Sequence, residues 1–89
     1  MQMQDITNQK EITYPAEITF KAIFRDSPST LDSIKSILLE KKINGSIYTK
    51  PSSQKKFTSY TVTAVFPSVE CLNLVCNEIT ALEGYMTMF

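Results

Sequence analysis

Phe57-Thr58-Ser59-Tyr60-Thr61-Val62-Thr63-Ala64-Val65-Phe66 changes character at every step. Tyr60, Val62, Ala64 and Phe66 fall on one side, and Ser59, Thr61, Thr63 and Val65 on the other. Side chains along a strand point to opposite faces in turn, so this pattern predicts a strand with one side against a core. Its β-branched and aromatic content favours a central place in a sheet.

Working outward from that strand, the same period runs from Ala16 to Phe24. Ile18, Phe20, Ala22 and Phe24 face one way, and Glu17, Thr19, Lys21 and Ile23 the other, with Ile23 an apolar residue on the outer side. Between the two strands, Leu31, Ile34, Ile37 and Leu38 recur at helical spacing, and Lys41 continues the stripe. Ser29 with Asp32 reads as a capping box in which Asp replaces Glu; Ser27-Pro28 is a competing start. Lys41 and Lys42 suit the negative end of the helix dipole, and Asn44-Gly45 predicts the left-handed stop. A short strand over Ser46 to Lys50 turns Ile47 inward and Tyr48 outward, and Pro51 to Lys56 reverses the chain.

Beyond the central strand, Pro67 ends the run and Ser68 caps a second helix. Its seam is Leu72, Val75, Ile79 and Leu82, flanked by Cys71 and Cys76. Gly84 then releases the chain into a last strand, Tyr85 to Phe89. Strand, helix, two strands, helix, strand is the signature of a split βαβ unit, an α+β two-layer sandwich. Right-handed crossovers predict a four-stranded antiparallel sheet of order 4-1-3-2 with two helices on one face. Tyr14-Pro15 opens the fold, because the residue before proline is pushed to an extended conformation. The chain thus divides into a flexible N-terminal arm, residues 1–12, and a single domain, residues 13–89.

Composition narrows the function classes. The 89 residues suffice for one core, and nine basic against nine acidic side chains leave no net charge. Such a balance argues against a general phosphate-binding surface. No apolar run is long enough to span a bilayer, and the polar N-terminus lacks the core of a secretory signal. Cys71 and Cys76, five apart on a helix, would stand about 8 Å apart, too far for a disulfide. Reduced thiols point to the cytoplasm.

Absences complete the inventory. Without histidine, no Ser-His-Asp or Cys-His arrangement exists, and two cysteines alone are a poor zinc set. Two glycines, Gly45 and Gly84, cannot make a P-loop or a dinucleotide fingerprint. Acylphosphatases share the layout but need a glycine-containing loop ending in arginine after the first strand, where this chain reads Arg25-Asp26-Ser27-Pro28. The expectation is a protein that is not an enzyme and holds no cofactor or metal.

Two places carry chemistry. In the hairpin Lys50-Pro51-Ser52-Ser53-Gln54-Lys55-Lys56, hydroxyls and backbone N–H groups suit a phosphate or carboxylate, with lysines supplying charge. Lys50, Ser52, Ser53, Lys55 and Lys56, with Arg25 nearby, are the candidate anion or partner contacts. The same run reads as a well-made turn, with Pro51 fixing its start and the serines bonding their own backbone, and this is the favoured reading because exposed loops usually look like this. The outer sheet face is the second place. Ile23, Tyr48, Val65, Tyr85 and Phe89 are its candidate interface, beside Thr19, Lys21, Thr61, Thr63 and Thr87. Such a face suits a dimer surface, a platform for bases or plain solvation. Lys56-Phe57-Thr58-Ser59-Tyr60 lacks both glycines and the second phenylalanine of an RNA-recognition strand.

Lys50-Pro51-Ser52-Ser53 followed by Phe57 and Ser59, with Tyr14-Pro15 and Phe20-Lys21 at the opening, resembles the YbeD-like family of small bacterial proteins of unknown function. The resemblance covers Tyr14 to Phe89. The chain departs from the family pattern where that pattern carries a hairpin glycine (here Lys55 or Lys56), a histidine (here Thr58) and a glycine near Phe24. The resemblance implies a ferredoxin-like sandwich similar to the ACT regulatory domains, with no activity to carry over. The combined reading is a non-catalytic regulatory or protein-interaction module that forms a homodimer through its open sheet face. Its partners would be a small anionic ligand, bound in an ACT-like way at the dimer interface, or an unidentified protein, and no membrane. The alternative is a weak nucleic-acid-binding module using Lys21, Lys50, Lys55, Lys56 and the face aromatics.

Overall fold

The alternation in the sequence becomes a register between two long strands. The computed structural model describes residues 12–52, 54 and 56–89, so the expected arm, save Ile12, lies outside the described residues. The elements run β1 (Ala16–Arg25), α1 (Thr30–Glu40), β2 (Gly45–Pro51), β3 (Phe57–Phe66), α2 (Val69–Thr80) and β4 (Tyr85–Met88). The antiparallel sheet has the order β2-β3-β1-β4, which is the expected 4-1-3-2 order read from the other edge. β1 and β3 pair from Ala16 opposite Phe66 to Arg25 opposite Phe57. Opposed residues share a face, so the two predicted inward sets coincide. Phe20, Ala22, Phe24, Tyr60, Val62, Ala64 and Phe66 bury there against Ile34, Ile37 and Leu38 of α1 and Val75 and Ile79 of α2. Phe24 is fully buried, and its ring meets Tyr60 and Tyr85 edge-on at 5.8 and 5.7 Å.

The helix ends depart from expectation in two places. Ser68 caps α2 as predicted, its Oγ accepting the Cys71 N–H at 3.1 Å. Ser29 is the N-cap of α1, but its side chain makes no capping bond, so the capping box with Asp32 does not form. The reason is local: Ser29 backbone is already helical (φ −98°, ψ −7°) rather than extended, and its Oγ lies 3.4 Å from that of Ser27. The left-handed stop falls on Lys42 (φ 58°), not on Gly45. Ile43 N–H donates to the Leu38 carbonyl (2.9 Å) and Lys42 N–H to that of Leu39 (3.0 Å), a Schellman closure with Leu38 and Ile43 both buried beneath it. Gly45 serves the sheet instead. A Cβ there would overlap that of Ala64 and stand 2.6 Å from the Thr63 carbonyl oxygen, so glycine lets β2 close on β3.

β4 brings a correction to the interface set. Gly84 (φ 88°) turns the chain, and its carbonyl accepts the Arg25 N–H at 2.8 Å. Tyr85 then sits opposite Phe24 and Thr87 opposite Ile23, so two steps of β4 match one step of β1. This bulge at Met86 breaks simple alternation. Tyr85 therefore faces inward onto Phe24 and does not belong to the outer face. Phe89 does, because it exchanges two backbone hydrogen bonds with Lys21 (2.7 and 2.8 Å) and shares that residue's side.

An ion pair between Lys41 and Glu78 links the two helices, and the bond to Glu78 holds the Lys41 pKa above its ordinary value. Cys71 and Cys76 are free thiols, and burial pushes that of Cys76 up. Among the described residues no helix is long and apolar enough to cross a membrane, and no cluster of three metal-ligating side chains occurs.

Candidate functional site

The hairpin and the outer face, two separate expectations, meet at one corner of the sheet. Outward positions of β1, β3 and β2 line up in rows: Ile23 beside Ser59 beside Lys50, then Arg25 beside Phe57. Ser52 extends the second row, its N–H donating to the Phe57 carbonyl at 2.8 Å. The result is an open hollow of about 190 Å³ lined by Ile23, Lys50, Pro51, Ser52, Phe57 and Ser59. Its floor is apolar.

Ser52 acts in the turn itself. Its Oγ accepts the N–H groups of Lys56 (3.1 Å) and Phe57 (3.2 Å), the amides that an anion would otherwise have met. Ser59 Oγ donates to the Lys50 carbonyl at 3.3 Å, and the Lys56 carbonyl accepts the Asp26 N–H at 3.0 Å. Ser53 and Lys55 lie outside the described residues. Lys50 lines the hollow, while Arg25 and Lys56 are exposed at the same sheet end. Lys41–Glu78 is the ion pair among the described residues, so none of these three cations has a carboxylate partner there.

Across the rest of the outer face, Tyr48 (64% exposed) and Phe89 (70%) stand at the two ends of the row Tyr48–Thr61–Lys21–Phe89. Lys21 Nζ lies 5.7 Å from the Phe89 ring centre, within cation–π range. Thr19 and Thr63 share a hydrogen bond of 3.0 Å, and Val65, half exposed, faces outward opposite Glu17.

Two features escaped the sequence reading. Thr58 and Thr30 are buried beside Tyr60, and Thr58 Oγ1 donates to Asp26 Oδ1 at 3.1 Å. Burial pushes the Tyr60 phenol above its ordinary value, while hydrogen bonds with Thr30 and Thr58 pull the other way. The cluster fastens β3 to the turn before α1. Thr58 shares the parity of Tyr60, which was the available signal. The other is a groove of about 350 Å³ between α1 and β2, where exposed Leu39 joins Ile43, Ile47 and Lys35.

Protein HP0495 from Helicobacter pylori superposes with a TM-score of 0.80 at 19% identity, covering 100% of this chain and 97% of that one. The ACT domain from the GTP pyrophosphokinase of Chlorobium tepidum gives 0.70 at 9% identity, covering 82% and 94%. The C-terminal domain of the MgtC protein from Mycobacterium tuberculosis gives 0.62 at 15%, covering 89% and 88%. At these identities the likeness establishes a ferredoxin-like, ACT-like fold and nothing further. No curated protein matches the sequence. Residues 9–89 match the model of a family described as protein of unknown function (DUF493), the YbeD-like family to which the hairpin motif pointed, and the chain belongs to it.

Proposed function

We propose that the chain is a non-catalytic regulatory or protein-interaction module, acting in the cytoplasm, that self-associates through the outer face of its sheet. One observation carries the reading. Both helices cover the same side of the sheet, and the opposite side holds Tyr48, Val65 and Phe89 in the open, with Ile23 and Phe57 toward its hairpin end. Large apolar side chains left exposed on the face opposite the helices make that face the candidate association surface. The ACT-like fold supports a regulatory role, and the cations beside the hairpin, which have no carboxylate partner among the described residues, support a small anionic ligand as the signal.

Sedimentation equilibrium tests the association. The wild-type chain should dimerise as its concentration rises, and Tyr48→Glu, which puts a charge on the face without touching the core, should stay monomeric. A wild-type monomer at every concentration overturns the proposal. Single-stranded nucleic acid binding tightly at low salt would favour the alternative use of the same face.

A further inference from the structure

The hollow at the hairpin corner combines features that a simple anion site does not need. Ile23, Pro51 and Phe57 give it an apolar floor, and a phosphate gains nothing from those surfaces. Lys50 is among its lining residues, with Arg25 in the same outward row as Phe57. The carboxylate nearest in sequence to Arg25, that of Asp26, accepts a hydrogen bond from Thr58 on the opposite side of the sheet. In a chain with no net charge, cations beside an apolar surface with no carboxylate partner among the described residues are a local excess with a chemical meaning. At about 190 Å³ the hollow is smaller than the ~300–1,000 Å³ typical of drug-sized ligands.

We propose that this hollow binds a small amphipathic monocarboxylate, such as a short acyl or aryl acid. Its apolar body rests on Ile23, Pro51 and Phe57, and its carboxylate is held by Lys50 with support from Arg25. The backbone amides take no part, because Ser52 Oγ already holds those of Lys56 and Phe57. A charge-assisted contact of this kind distinguishes an acid from its neutral alcohol. The inference deepens the ligand half of the proposed function and rests on that reading, with the hairpin end of the face left open when two copies pair.

The test is an amide-resolved NMR titration with hexanoate, hexan-1-ol and inorganic phosphate, run on a Val65→Glu chain, whose added carboxylate sits on the outer face at the far end of β3 from Lys50, so that association and ligand binding are separated. Hexanoate should give saturable shifts at Ile23, Lys50, Phe57 and Ser59, with hexanol and phosphate each about tenfold weaker or more. Lys50→Gln should weaken hexanoate about tenfold and leave hexanol unchanged, and Arg25→Gln should act in the same direction by less. Unmoved helix amides confirm that each variant is folded. Hexanoate binding no better than hexanol, insensitivity to both substitutions, or shifts confined to the groove between α1 and β2 would overturn the inference. Failure of the dimer in sedimentation would leave this result standing, and the reverse also holds.

Discussion

The two faces of the sheet carry the same alternation and have opposite fates. On the inner side, Phe24, Val62 and Phe66 are fully buried under both helices. On the outer side, Ile23, Val65 and Tyr48 sit one residue away in sequence or register, and neither helix covers them. Strand chemistry is thus shared by both sides, and the helices alone decide which is core. What the difference teaches is that stability lives on one face, leaving the other free to change its chemistry without endangering the fold.

The largest effect should separate the faces outright. Phe24→Ala removes a fully buried ring and its edge contacts to Tyr60 and Tyr85, and should cost about 3–5 kcal/mol in urea unfolding. Val65→Ala, on the outer side, should stay within about 0.5 kcal/mol. Equal losses would break the comparison. Gly45→Ala comes next. Its added methyl meets Ala64 on the inner side, and the overpacking should cost about 1–3 kcal/mol or shift β2, seen as lost amide protection in that strand.

The helices that cover the inner face sharpen the contrast further. Ser68→Ala should lower stability by about 1 kcal/mol because an amide loses its cap, whereas Ser29→Ala should change little. Lys42→Gly should raise stability by roughly 0.5–1 kcal/mol by relieving the left-handed strain in the Schellman closure. A loss on that substitution would mean that the lysine side chain contributes more than its backbone costs.

The smallest effect is alkaline. Cys76, Tyr60 and Lys41 all have pKa values raised above their ordinary 9.0, 10.0 and 10.5, the first two chiefly by burial and Lys41 chiefly by its bond to Glu78. Each holds its proton more tightly folded than unfolded, so the unfolded chain loses protons first as pH rises. Stability should be level below about pH 8 and fall as pH climbs past 9 to 11, read as a declining urea midpoint. A midpoint rising over that range would contradict the assignment.

How much of this was legible depended on whether a signal was local. The β3 alternation, the α2 seam and the Ser68 cap are each written within a few residues, and each formed as read. Tyr85 was misplaced because its direction depends on a bulge, and a bulge belongs to the pairing of two strands rather than to either one. Gly45 looked like a helix stop because glycine after a helix usually is one, while its constraint comes from Ala64 across the sheet. The same holds for the candidate site. Lys50 and Phe57 were legible as hairpin and strand residues, but their convergence with Ile23 required the register. Ser52 was legible as a turn serine bonding its own backbone, and its Oγ does so with the Lys56 and Phe57 amides.

The most direct test of the open face is a dilution series followed by NMR amide shifts. The account predicts concentration-dependent shifts confined to outward positions around Ile23, Tyr48, Thr61 and Val65, with α1 and α2 unmoved. Shifts confined to the helices, or none up to millimolar protein, would contradict it.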